Sequence, residues 1–127
     1  MKKILTLILV GAVIALSPGC HSTPQRVVYS TVQASDVSVE VALGAWNDYL
    51  GTHKVTAAQE LTVKHAFEKY QAAALLVSDL TQTYAGLVTS HSTNAADAQL
   101  AATAATQSAA QALADLVQVI RSFGVKI

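Results

Sequence analysis

The chain has 127 residues, 52% of them hydrophobic and 13% charged, with eight Lys or Arg against eight Asp or Glu. So apolar and thinly charged a composition excludes bulk disorder, and a formal net charge of zero leaves no electrostatic footprint for nucleic acid. Alanine supplies much of the hydrophobic count, so the core is expected to be broad and built of small side chains.

The chain opens Met1-Lys2-Lys3 and continues as an uncharged apolar run from Ile4 to Leu16. A basic start, a dozen apolar residues and then small residues form the pattern of a secretory signal. At ~1.5 Å per residue the run would span about 20 Å as a helix, short of the ~30 Å hydrocarbon core of a bilayer. The run ends in Ser17-Pro18-Gly19-Cys20, and Cys20 is the single cysteine of the chain. A disulfide needs a second cysteine. A metal site needs several ligands, and His21 is the nearest companion. A catalytic thiol needs an electropositive pocket, whereas "HSTPQ" reads as a tether.

This segment resembles the lipobox of bacterial lipoproteins. Gly19 fits the small position before the cysteine, and Leu16 supplies the aliphatic residue, one place further from the cysteine than usual. The resemblance implies a signal peptide over 1–19, cleavage before Cys20, and a diacylglycerol on its thiol. Residues 20–29 would be the lipidated tether. In the sorting logic of that family an aspartate after the cysteine retains the protein in the inner membrane. His21 stands there instead, which implies the periplasmic face of the outer membrane.

Beyond the tether the pattern is helical. "DVSVEVAL" (36–43) alternates like a strand, yet Val32, Val39, Ala42, Trp46 and Tyr49 fit a heptad equally well. A lone strand among helices would leave its backbone groups unpaired, so a helix is expected over about 30–50. Ser30 and Gln33 would form its capping box and Gly51 its end. Val63, Ala66, Tyr70, Ala73, Val77, Leu80, Tyr84 and Leu87 then recur at alternating spacings of three and four, the stripe of a helix over about 56–90. Thr56 with Gln59 offers a capping box. Glu60, Lys64 and Glu68 form an i,i+4 row on another, solvated face.

"SHSTN" (90–94) breaks the pattern with cap-prone residues. A third helix is expected over about 94–123, with its stripe at Ala102, Thr106, Ala109, Leu113, Leu116, Ile120 and Phe123, and with Gly124 as a left-handed terminator. The predicted fold is all-α: an up-down-up three-helix bundle with coiled-coil-like packing, occupying residues 30–127. Helix 1 should be the shortest, so that the longer pair projects beyond it as a helical hairpin.

The side chains carry no motif of catalysis. No Gly-rich phosphate loop, GxSxG turn or HExxH occurs. No two of His21, His53, His65 and His91 stand at i,i+4, so they read as solvated histidines rather than metal ligands. Trp46, Tyr49, Phe67, Tyr70 and Tyr84 read as bundle core, with a small apolar pocket as the other reading. The expectation is a protein with no catalytic residues, no cofactor and no metal, anchored to a membrane through lipid at Cys20, making no contact with nucleic acid and engaging a protein partner. Alanines 101, 102, 105, 109 and 112 on helix 3 would leave a face for weak homo-oligomer formation, so Ala105→Glu should be tolerated by the fold if that face is outward. The other functional reading is a carrier of a small apolar ligand between the helices.

The composition is also similar to that of small alanine-rich helical lipoproteins of Gram-negative envelopes, including the murein lipoprotein. Here Lys126 is penultimate rather than terminal, so covalent murein attachment does not carry over. Lipoproteins of this size occur in phage lysis cassettes as well. The outer-membrane spanins among them are proline-rich, whereas Pro24 alone would remain after cleavage.

Overall fold

The computed structural model describes the backbone of residues 24–127 and the side chains from Ser38 onward. It is all-helical, with α1 (Pro24–Thr52), α2 (Ala57–Thr89) and α3 (Ala95–Ser122), and no strand occurs among the described residues. The alternating stretch 36–43 lies inside α1, as the lack of a pairing strand requires.

α1 starts at Pro24 rather than near residue 30. Proline is suited to the first helical turn because its fixed φ is already helical and no partner is needed there for a backbone N–H. Residues 24–29, expected in the tether, are therefore helical, and Ser30 and Gln33 fall inside the helix rather than at its cap. Gly51 does not end it either. The helix continues to Thr52, whose Oγ1 lies 3.2 Å from the Asp48 carbonyl. With 29 residues against 33 in α2 and 28 in α3, α1 is not the shortest helix.

The start of α2 is as the sequence indicates. Gln59 N–H donates to Thr56 Oγ1 at 3.2 Å, and Thr56 N–H donates to Gln59 Oε1 at 2.9 Å. The two bonds close a capping box, each residue satisfying a backbone donor of the other. The end of α2 turns through His91, a non-glycine at φ 53°. His91 N–H reaches the Val88 carbonyl at 3.1 Å and Ser92 N–H reaches that of Leu87 at 3.0 Å. These are the paired bonds of a Schellman terminus, which sets the residue after the cap in the left-handed region. Asn94 occupies the N-cap of α3 without a side-chain cap bond. Gly124, at φ 90°, terminates α3 as expected and donates to the Arg121 carbonyl at 2.9 Å.

All eight positions of the α2 stripe are withdrawn from solvent: Val63, Tyr70 and Val77 fully, and Ala66, Ala73, Leu80, Tyr84 and Leu87 in part. Val77, 1% exposed, packs against Ala105 and Ala109 of α3, with Ala73 and Leu80 beside them. A branched side chain set against alanines lets the two axes approach closely. At the other end Ala42 and Trp46 of α1 join Val63 of α2 and Leu116, Ile120 and Val125 from α3 and the segment after it. The end of α1, the start of α2 and the end of α3 thus meet in one three-element cluster. The central cluster, among the described residues, is made by α2 and α3 alone.

Three of the five alanines expected on a free face of α3 are buried. Ala105 is 6% exposed and Ala109 8%, because both face Val77. Ala102 is buried as well. Ala101 remains exposed and Ala112 half-buried. The outward face assumed for Ala105→Glu is in fact the contact with α2.

Candidate functional site

Cys20 and His21 lie outside the described residues. The other three histidines are exposed and lie apart, His53 after α1, His65 on α2 and His91 in the α2–α3 turn. Among the described residues no group of three or more His, Cys, Asp or Glu could hold a metal ion. None of the three helices is long and apolar enough to cross a membrane.

The five aromatic residues singled out in the sequence do not form one pocket. Tyr70 is buried in the α2 stripe and Tyr84 is half-buried further along it. The other three gather where α1 and α2 meet. Trp46, 6% exposed, stacks on Tyr49 at 5.9 Å between ring centroids, and Tyr49 stacks on His53 at 4.0 Å with 9° between the planes. Phe123 tilts against the other side of Trp46 at 5.8 Å. Thr52 Oγ1, 2.8 Å from His53 Nδ1, pins the imidazole at the end of this row. The rings of Phe123, Trp46, Tyr49 and His53 thus form one continuous row of contacts.

Trp46 of this row also borders an open groove between α1 and α2, about 460 Å³ in volume. Leu43, Trp46 and Leu50 line it from α1, and Ala57, Leu61, Val63 and Phe67 line it from α2. Glu60 and Lys64 stand on the same lining. Both are exposed, and Lys64 Nζ lies 3.8 Å from Glu68 Oε1 in an i,i+4 pair. The expected solvated row is thus present, and it forms the charged rim of an apolar trough. Leu61, on that lining, keeps half of its surface exposed.

The groove was not read from the sequence, although part of its signal is there. Leu43, Trp46 and Leu50 step by three and four, a second stripe beside the one formed by Val39, Ala42, Trp46 and Tyr49. Leu61 lies off the α2 heptad and carries no such signal. No protein-family model matches the chain, and no curated protein or solved structure matches it.

Proposed function

We propose that the chain is a lipid-anchored, non-enzymatic protein of the bacterial cell envelope, held at Cys20 on the periplasmic face of the outer membrane. Its up-down-up three-helix bundle, packed in coiled-coil fashion, serves as a structural module for contact with other proteins. The reading is carried by one observation, the uncharged run Ile4–Leu16 followed, after Ser17-Pro18-Gly19, by the only cysteine. The start of α1 at Pro24 supports it physically. Only His21, Ser22 and Thr23 separate the anchor from the helix, and so short a segment reaches at most about 14 Å even when fully extended. An anchor at Cys20 would then hold the bundle close to the bilayer. An open trough suits a protein partner better than a carried small molecule, because ligand pockets bury most of the ligand's surface.

The test is Cys20→Ala in the native host. The variant should accumulate as the longer precursor, since neither acylation of the thiol nor cleavage before it can occur. Normal processing and normal membrane fractionation of that variant would refute the reading.

A further inference from the structure

We infer that residues 124–127 are a strap that decides whether α1 stays on the α2/α3 hairpin: the bundle opens by releasing strap and α1 together, and the hairpin stays folded. The inference stands on the described residues alone and does not depend on lipidation. The hairpin has a core of its own, Val77 against Ala105 and Ala109, to which α1 contributes nothing among the described residues. α1 is seated differently. Its Ala42 and Trp46 are buried in the end cluster with Val63, Leu116, Ile120 and Val125. Towards α2 it is not sealed, because the open groove runs between the two helices. Its hold therefore falls on the end of α3 and on the segment that follows it.

Val125 lies beyond α3, yet it is only 7% exposed, and Ile127 packs partly buried against the same cluster. Two local features turn these side chains inward. Gly124, at φ 90°, folds the chain back through a region that glycine enters freely and other residues do not. Arg121 then donates from Nη2 to the Ile127 carbonyl at 3.1 Å, which ties the far end of the strap to the last turn of α3. Phe123, just before the strap, tilts on Trp46 at 5.8 Å between ring centroids. The strap thus completes the cluster that seats α1 while supplying none of the central core of the hairpin. Local opening follows such divisions, since an element with a separate and smaller buried contact can leave before the rest unfolds.

Hydrogen exchange on the isolated full chain in mild detergent, read by mass spectrometry, tests the order of opening. In the wild type, amides of residues 39–52 should exchange through an opening that leaves those of 73–80 and 102–109 protected. Val125→Asp should favour that opening about tenfold or more, through loss of a buried valine and burial of a charge. Gly124→Val should favour it about tenfold through backbone strain alone, because a Cβ at Gly124 would meet nothing within 4 Å. Gly124→Asn, which accepts a positive φ, should stay close to wild type. Trp46, the only tryptophan and 6% exposed, should become accessible to acrylamide in step with the exchange of α1. Three results would overturn the inference: all three helices losing protection together, Val125→Asp and Gly124→Val leaving α1 as protected as in the wild type, or Gly124→Asn opening α1 as far as Gly124→Val.

Discussion

Replacing Ala105 by glutamate tests the small-residue contact between α2 and α3. Ala105 is 6% exposed and packs with Ala109 on Val77, itself 1% exposed. The larger side chain must either separate α2 from α3 or distort its own rotamer, and overpacking of this kind costs about 1–3 kcal/mol. The carboxylate also loses water in a cluster made of Val77, Ala105 and Ala109 with Ala73 and Leu80 around it. Leaving a polar group unpaired there adds about 1–3 kcal/mol. The sum is about 2–6 kcal/mol, against about 5–15 kcal/mol of total stability for a domain of this size. Ala104→Glu is the control, one residue along on an exposed position, where a surface change stays within about 0.5 kcal/mol. Urea unfolding followed by circular dichroism should show a much lower midpoint for Ala105→Glu than for Ala104→Glu. The deficit should also depend on pH. Desolvation raises the folded-state pKa of the introduced carboxyl above its unfolded value of ~4.3. The folded state then binds the proton more tightly, so the deficit is smallest at low pH and grows as pH rises past the unfolded pKa. Equal midpoints for the two variants, or a deficit independent of pH, would refute the reasoning.

Tyr70→Asp should cost several kcal/mol, because it puts a charge at a buried position of the α2 stripe, whereas Gln71→Asp, on an exposed neighbour, should stay within about 0.5 kcal/mol; thermal melts with equal midpoints would mean that the stripe is misassigned. His91→Gly should raise the melting temperature by about 2–6 °C. His91 sits at φ 53° and is exposed, so glycine relieves a left-handed penalty of ~1 kcal/mol without removing a buried contact. A fall in melting temperature would mean that the imidazole itself stabilises the turn.

The parts of this fold that were legible in the sequence are those where large and small, or apolar and polar, residues alternate. Every position of the α2 heptad is at least half-buried, because Val63, Tyr70, Val77 and Leu87 alternate with residues that cannot share their face. The Thr56–Gln59 box and the Gly124 terminator were legible because each depends on local chemistry. Backbone donors need a side-chain acceptor, and a positive φ favours glycine. The start of α1 was missed because Ser30 and Gln33 satisfy the cap pattern as well as any helix start does, while Pro24 gives a weaker signal that only the backbone reveals. His91 was missed for the opposite reason. It takes a conformation that glycine favours, in a turn set by two backbone hydrogen bonds rather than by its side chain.

The alanines of α3 show where the pattern itself fails. Ala101, Ala102, Ala104, Ala105 and Ala109 are one residue type, yet Ala102, Ala105 and Ala109 are buried while Ala101 and Ala104 are exposed. A helix of alanine has almost no hydrophobic contrast around its circumference, so its facing is decided by the neighbour it meets, here Val77. The groove follows from the same limit. Leu43, Leu50 and Leu61 lie on two different helices, and only the packing of α1 against α2 brings all three to the lining of one trough. Side-chain type specified which helices form and which stripes they bury. Where a second apolar surface would be left open depended on the packing of three helices together, and a periodicity read along one helix at a time does not contain that information.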